Sequence, residues 1–191
     1  TWQIGSWEGY RDFKRLGRKT RLSEAQRALL WQIFEKVAAA LTAQGLVTRS
    51  ALCTRLAAAI AAMKHPPYDH VVVDEAQDVD VSQLRLLAAM AGSKPNGLLF
   101  AGDLGQRIFQ TPFSWKALGV DVRGRSRTLH VNYRTSHQIR AQADKLLGPE
   151  VSDVDGNVED RRGTVSVFNG PAPEVRTLDG EQAEVTHVAA W

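Results

Sequence analysis

The sequence predicts an α/β fold in which a parallel sheet is flanked by helices. Short apolar segments alternate with stretches of helical periodicity, which is typical of a mainly parallel sheet. The clearest strand, Val71–Val73, is an uninterrupted apolar run, as expected of a parallel strand that is buried on both faces. Asp74 and Glu75 follow it directly. Because burying charge is costly, this acidic pair indicates a site where a ligand supplies the opposite charge.

Composition narrows the class of protein. Of the 191 residues, 43% are hydrophobic and 24% charged, as in a soluble globular protein. No signal peptide opens the chain, and no apolar run approaches the roughly 20 residues that span a bilayer. The single cysteine, Cys53, excludes an internal disulfide and fits a reducing compartment such as the cytoplasm, and we expect it in the core. Because the chain starts at Thr1 without Met and stops at Trp191 within a helical pattern, we expect a fragment of a longer protein.

Charge is unevenly distributed along the chain. Residues 1–68 carry 11 Lys and Arg against 4 Asp and Glu, whereas residues 69–191 carry 13 against 17. The segment RDFKRLGRKTR, residues 11–21, holds six basic residues around one Phe. It is either a solvated leader or a surface that contacts phosphates.

Two helices are predicted before the acidic pair. Ser23 and Gln26 form a capping-box pattern at the start of a helix that continues to Gly45, and a second helix ends before Pro66. Helical spacing predicts core positions in both of them. These positions are Leu29, Leu30, Ile33, Phe34, Val37 and Leu41 in the first helix, and Leu52, Leu56, Ile60 and Met63 in the second.

Further strands and helices follow the acidic pair. Asp80 and Gln83 form another capping box for a helix over residues 81–90, which ends at Gly92. Strands are predicted within 97–103, 127–131 and 164–168, and helices over 135–147 and from 181 onward. The polar stretch 148–163 is predicted as a linker or loop.

The position of the acidic pair indicates a specific chemistry. In open α/β sheets, ligands bind outside the carboxyl ends of the strands. A Mg²⁺ ion with nucleotide phosphates would balance the two carboxylates, with Asp74 holding the metal through its waters. Glu75 could then orient and deprotonate an attacking water. The alternative is that the pair only caps the next helix.

Two other strand ends carry side chains suited to a nucleotide. Gln106 follows the segment GLLFAGD, and a neutral amide there can contact a γ-phosphate. Tyr133 and Arg134 follow LHV, where Tyr can stack on a base and Arg can stabilise charge on a phosphoryl group. Taken singly, Gln106 could be an ordinary loop residue and Tyr133 a half-buried aromatic.

The segments VVVDEAQD, GDLGQRIF and LHVNYRTS resemble motifs II, III and IV of the UvrD/Rep/PcrA-like superfamily 1 helicases. The resemblance covers about residues 68–147, and residues 21–67 are similar to the helical stretch before motif II. It implies a RecA-like sheet, ATP and Mg²⁺ as cofactors, and single-stranded DNA, or a duplex with a single-stranded tail, as partner. It also implies the site residues. Asp74 and Glu75 would be the metal-binding and water-activating acids, Gln106 the γ-phosphate sensor, Tyr133 the adenine-stacking residue and Arg134 a γ-phosphate contact.

The same resemblance implies aromatic residues that stack on single-stranded DNA. Phe109 is the first candidate. The family usually has a Trp very soon after this aromatic, whereas here Trp115 lies six residues further on, so Phe113 or Trp115 could take the role. Each stacked base contributes about 1–3 kcal/mol. The alternative for Trp115 is packing within the protein.

Two family motifs are not recognisable. The sequence contains no G-x-x-x-x-G-K-[ST] segment and no clear motif VI arginine. We therefore expect part of a longer helicase, with a basic leader and helical insertion at 1–67, the core of the first RecA-like lobe at 68–147, and a linker with the beginning of the second lobe at 148–191. The chain alone is expected to hydrolyse ATP poorly or not at all, because the phosphate-binding loop is missing.

Two other classes of function stay open. In a non-catalytic nucleic-acid-binding module, the basic leader and RGRSR at 123–127 would carry the function, although RGRSR could also be a solvated loop. In a metal-dependent nuclease, Asp74, Glu75 and Asp78 would bind metal. Such sites need carboxylates from several elements, and Asp78 and Asp80 are better explained as turn and cap residues.

Overall fold

The computed structural model describes residues 4–13, 22–92, 94–107 and 112–191. The chain divides into two compact units, of which the first comprises residues 1–126 and 152–159 and the second residues 127–151 and 160–191. The helices are α1 (Trp7–Asp12), α2 (Glu24–Ala43), α3 (Arg49–Ala61), α4 (Val81–Ala91), α5 (His137–Ala143) and α6 (Glu181–Ala190). The strands are β1 (Val71–Val73), β2 (Leu98–Phe100), β3 (Val131–Asn132), β4 (Glu150–Ser152), β5 (Val158–Asp160) and β6 (Val165–Ser166).

Within the described parts of the chain, the strands form three two-stranded sheets, β1–β2, β3–β6 and β4–β5. The first two are parallel, and in β1–β2 the Cα partners are Val71 with Leu98 and Val73 with Phe100. The predicted mixture of helices and parallel strands is therefore confirmed. A larger RecA-like sheet is not formed by these strand pairs. In the described ranges, no helix has the length and apolar character needed to cross a membrane.

The core of the first unit lies where α4 meets one face of the β1–β2 sheet. Its buried side chains are Val79, Val81, Leu84, Phe113 and Val120. Half-buried residues of both strands pack against this cluster, among them Val73, Leu98 and Phe100. This packing fixes the sheet on α4 and so positions the carboxyl ends of β1 and β2.

Helix α4 begins at the predicted capping box. Asp80 Oδ1 accepts hydrogen bonds from the backbone nitrogens of Ser82 and Gln83 at 2.8 and 2.9 Å, and Gln83 Oε1 accepts one from Asp80 N at 2.9 Å. Burial tends to raise the pKa of Asp80, but the hydrogen bonds from Ser82 and Gln83 outweigh it and lower that pKa below its ordinary value. The ionised carboxylate therefore stabilises the start of the helix.

The predicted core stripe of α2 and α3 is largely wrong. Both helices form, and the Ser23–Gln26 capping box is present, but seven of the ten positions are more than 40% exposed. They are Leu29, Ile33, Phe34, Val37, Leu52, Leu56 and Met63. Periodicity identifies a helix, whereas burial requires a second element to cover the stripe. Cys53 of α3 is buried as predicted.

The prediction that β1 is buried on both faces is also wrong. Side chains alternate along a strand, so Val71 and Val73 share the face that packs toward the core. Val72 points the other way and is 69% exposed, as is its partner Leu99 at 61%. One face of the parallel pair is therefore open.

The stretch 148–163 is not a structureless linker, because it contains β4 and β5. In the turn between them, Asp153 Oδ1 accepts hydrogen bonds from the backbone nitrogens of Asp155 and Asn157 at 2.9 and 2.8 Å. Asp155 in turn accepts one from Trp115 N at 2.7 Å and one from Ser114 Oγ. These bonds attach the turn to the first unit.

In the second unit, β3 pairs in parallel with β6. The predicted strands at 127–131 and 164–168 are shorter than expected, at Val131–Asn132 and Val165–Ser166. The pairing continues in the backbone hydrogen bond from Val167 N to Asn132 O, at 3.0 Å. Helix α5 packs beside β6, in the region predicted to be helical.

Candidate active site

The two predicted acids lie at the carboxyl end of β1, and both are exposed. Asp74 Oδ1 accepts a hydrogen bond from Glu75 N at 2.9 Å. Glu75 Oε2 accepts one from the side-chain amide of Gln77 at 2.7 Å. Carboxylate oxygens are the ligands that Mg²⁺ prefers, and the ion usually keeps several of its waters. An exposed carboxylate pair fits such an ion.

The backbone at Glu75 is in an uncommon conformation. Its φ of 52° and ψ of 42° lie in the left-handed region, where a residue with a Cβ is strained. Among the described non-glycine residues, only Asn96 also has a positive φ. Asn tolerates this region better than Glu. Strain of this kind clusters at functional sites, and here it marks the predicted catalytic acid.

Gln106 lies at the same edge of the β1–β2 sheet. Ala101 N donates to Val73 O at 2.8 Å and Ala76 N donates to Ala101 O at 2.9 Å, so the two strands stay paired up to their ends. Gln106 follows in the 3₁₀ turn Leu104–Gln106 and is exposed. Because β1 and β2 are parallel neighbours, the structure brings Gln106 to the edge that carries Asp74 and Glu75.

A hydrogen-bond chain connects these two strand ends. The Gln77 amide donates to Glu75, and Gln77 Oε1 accepts from Asp103 N at 3.1 Å. Asp103 Oδ2 accepts from Gln106 Nε2 at 3.0 Å, and its Oδ1 accepts from Gly105 N at 2.8 Å. The sequence patterns did not identify Gln77 as a functional residue. The only signal for it is its position between Glu75 and Asp78 in VVVDEAQD.

Tyr133 and Arg134 lie in the second unit, directly after β3. Asn132 Oδ1 accepts hydrogen bonds from Arg134 N at 2.9 Å and Thr135 N at 3.0 Å, which holds the backbone in a tight turn. Both side chains are exposed, Tyr133 to 75%. Tyr133 is therefore not the half-buried aromatic of the alternative interpretation, and its ring faces are accessible.

Two of the three predicted DNA-stacking aromatics pack inside the first unit. Phe113 belongs to the core cluster and is 8% exposed, so it offers no ring face to a base. Trp115 packs edge-on against Phe100, with ring centroids 4.7 Å apart, as its packing alternative predicts. Phe109 lies outside the described residues.

The neighbouring acids Asp80 and Asp78 are not assigned to the candidate site. Asp80 is buried at the start of α4, as the cap interpretation predicts. Asp78 lies in the 3₁₀ turn Ala76–Asp78. Within the ranges that the structure covers, no three or more His, Cys, Asp or Glu side chains are grouped to hold a metal ion.

Comparison with known families agrees with this geometry. The family model of the UvrD/REP helicase N-terminal domain matches residues 11–114, which is more than half of the chain. The chain therefore belongs to the UvrD/REP helicase family. The match includes Asp74, Glu75 and Gln106, whereas Tyr133 and Arg134 lie beyond it. No curated protein matches the chain.

Proposed function

We propose that the chain is part of an ATP-dependent DNA helicase or translocase, which couples ATP hydrolysis to movement along single-stranded DNA. The observation that carries the proposal is the edge where β1 and β2 end. Two exposed acids and an exposed glutamine meet there, within the residues that match the helicase family. The two-stranded β1–β2 unit is then part of a RecA-like parallel sheet in the full-length protein.

Each residue at this edge has a proposed role. Asp74 and Glu75 would bind Mg²⁺, which supplies positive charge to the phosphates of ATP when bound. Glu75 orients the attacking water and takes its proton, since its carboxylate is exposed and fixed on one side by Gln77. Gln106 donates its amide to the γ-phosphate.

Tyr133 and Arg134 are further proposed nucleotide contacts, as the resemblance of LHVNYRTS to motif IV implies. The exposed ring of Tyr133 stacks on adenine, and the guanidinium of Arg134 reaches the γ-phosphate. Gln106 and Arg134 then couple loss of the γ-phosphate to movement along DNA. This proposal keeps residues 68–147 as the core of the first lobe, with the helical insertion at 1–67 before it and the second lobe beginning within 148–191.

The proposed DNA partner is a single strand, or a duplex with a single-stranded tail. Phe109 is the aromatic proposed to stack on its bases. Phe113 and Trp115 are not proposed to stack on DNA, because both pack against other side chains of the first unit. Basic residues in 11–21 would add contacts to the phosphates.

The test is the ATPase activity of the full-length protein, with and without single-stranded DNA, beside its Glu75→Gln variant. We expect DNA-stimulated hydrolysis that falls about 10²–10⁴-fold in the variant, because the general base is removed while its shape is kept. The control is Glu184→Gln, which neutralises an exposed acid on α6 and should leave the rate unchanged.

Two results would contradict the proposal. If Glu75→Gln hydrolyses ATP as fast as the wild type, Glu75 is not the general base. A full-length protein that binds DNA in both forms without hydrolysing ATP would be a nucleic-acid-binding module.

A further inference from the structure

The geometry points to Gln77 as a positioning residue that sets the orientation of Glu75 and connects it to Gln106. This inference rests on the proposed function, because it assumes that Glu75 is the general base and Gln106 the γ-phosphate contact. What it adds is a role for a buried amide that contacts neither the attacking water nor the nucleotide in the proposed reaction.

The amide of Gln77 uses both of its functional groups at the site. Its nitrogen donates to Glu75 Oε2 at 2.7 Å, and its oxygen accepts from Asp103 N at 3.1 Å. A primary amide is both a donor and an acceptor, so it can bridge a carboxylate and a backbone N–H. A bond to an ionised carboxylate is stronger than one between neutral groups. One oxygen of Glu75 is therefore held in place.

Burial makes this bridge rigid. Gln77 is 7% exposed, and the preceding Ala76 is 5% exposed. A buried amide without hydrogen-bond partners is unfavourable, so the side chain stays where both bonds are made. Glu75, in contrast, is exposed and would sample several rotamers without this contact. The rigid residue therefore orients the mobile one.

Gly102 makes room for the bridge. A Cβ added at this position would lie 2.5 Å from Gln77 Oε1 and 3.0 Å from Ala76 N. At 2.5 Å the Gln77 amide would have to move, and Ala76 N is backbone that is already bonded to Ala101 O. Any side chain at residue 102 would displace the Gln77 amide. The end of β2 is thus shaped around Gln77.

The bridge continues to the proposed γ-phosphate contact. Asp103, whose backbone N–H binds Gln77, accepts from Gln106 Nε2 at 3.0 Å through its carboxylate. When the Gln106 amide turns to a γ-phosphate, its hydrogen bond to Asp103 breaks. A resulting shift of Asp103 moves Gln77, which is bonded to the Asp103 N–H, and so changes the orientation of Glu75. The base Glu75 and the phosphate contact Gln106 are therefore linked through Gln77 and Asp103.

The kinetic test uses the full-length protein with Gln77→Met, which keeps the volume of the side chain and removes both hydrogen bonds. We expect kcat for DNA-stimulated hydrolysis to fall about 10–100-fold while KM for ATP changes little, because misorientation of a reacting group affects the chemical step.

A matched control separates positioning from stability. Gln83→Met removes another glutamine bond, the one from Asp80 N in the capping box of α4. It should lower the melting temperature without lowering kcat. Gly102→Ala should lower kcat in the same way as Gln77→Met, because it displaces the same amide. Loss of kcat in Gln83→Met equal to that in Gln77→Met, or an unchanged kcat in Gln77→Met, would overturn the inference.

A second measurement does not depend on activity. The side-chain amide resonances of Gln77 should shift in Glu75→Gln, because the carboxylate that accepts the hydrogen bond of this amide is replaced. If they do not shift, the bridge is absent and the inference is wrong, whatever the ATPase shows. If they shift while Glu75→Gln hydrolyses ATP normally, the bridge exists but the proposed function of Glu75 fails.

Discussion

Glu75 combines a functional side chain with an unfavourable backbone. The left-handed conformation turns the chain sharply between β1 and the following 3₁₀ turn, and places the carboxylate beside Gln77. For an L-residue this conformation is unfavourable by about 1–2 kcal/mol. Ala76 and Gln77 are buried and pack beside Gly102, just after the end of β2, and this packing maintains the left-handed conformation of Glu75.

Relief of this strain can be measured with two substitutions that both remove the carboxylate. Glu75→Gly should have a free energy of unfolding about 1 kcal/mol greater than Glu75→Ala, because glycine adopts a positive φ without a Cβ clash. The measurement is chemical denaturation of both variants at neutral pH.

The control compares Ala and Gly at an ordinary helical position. At the exposed Ala39 of α2, replacement by Gly should be destabilising by about 1 kcal/mol. If Glu75→Gly is no more stable than Glu75→Ala, the backbone at Glu75 is not strained.

At the scale of elements, α4 organises the first unit. Its capping box sets where the helix starts, and its apolar face packs on the inner face of the β1–β2 sheet. The cap and the site are neighbours in sequence, because the 3₁₀ turn that contains Gln77 ends two residues before Asp80. The helix start therefore follows closely on the turn that carries Gln77.

Asp80 should make the stability of the first unit depend on pH. Its pKa is lowered in the folded state, so the unfolded state binds more protons as the pH falls. The stabilisation is therefore complete above the ordinary pKa of about 3.8 and is lost as the pH falls through the lowered value. Asp80→Ala should reduce the free energy of unfolding by about 1–2 kcal/mol at pH 7.

Denaturation curves at pH 7 and at pH 3 test this effect. The difference between wild type and Asp80→Ala should shrink at pH 3, because Asp80 is then largely protonated in the unfolded chain, where its pKa has the ordinary value of about 3.8. Asp80→Asn, whose oxygen can still cap the helix, should be less destabilised than Asp80→Ala at pH 7. A difference that is independent of pH would mean that the ionised form of Asp80 is not what stabilises the helix.

At the scale of the whole molecule, apolar surface is unusually exposed. The open face of the β1–β2 sheet carries Val72 and Leu99, and α2 exposes an apolar stripe that includes Leu29 and Phe34. Exposed strands and apolar patches promote association between chains.

Removing the apolar side chains from the open sheet face should reduce self-association of this chain. Val72→Thr with Leu99→Thr keeps β propensity and makes the face polar, so sedimentation should show fewer oligomers at an unchanged free energy of unfolding. The control is Val73→Thr on the covered face, which should be destabilising by about 1–3 kcal/mol because it buries a hydroxyl. Unchanged association of the double variant would show that this face does not take part.

Sequence patterns predicted several local features of the molecule correctly. The capping boxes at Ser23 and Asp80 and the parallel strand β1 agree with the structure. Each of these depends on residues a few positions apart, so the signal is present in a short window. The positions of the acids and Gln106 after β1 and β2 were predicted for the same reason, because each follows an apolar strand, whereas their roles stay predictions.

The sequence alone determined where α2 and α4 begin, where β1 lies and which polar residues end β1 and β2. Only the tertiary structure decided the burial of Phe113, the open faces of β1 and α2, and the hydrogen bonds of Gln77. Asp103 lies 26 residues from Gln77 along the chain, and no local pattern specifies that their polar groups meet. Burial and bridging depend on which distant segment covers a residue, and this follows from packing of the folded chain rather than from periodicity.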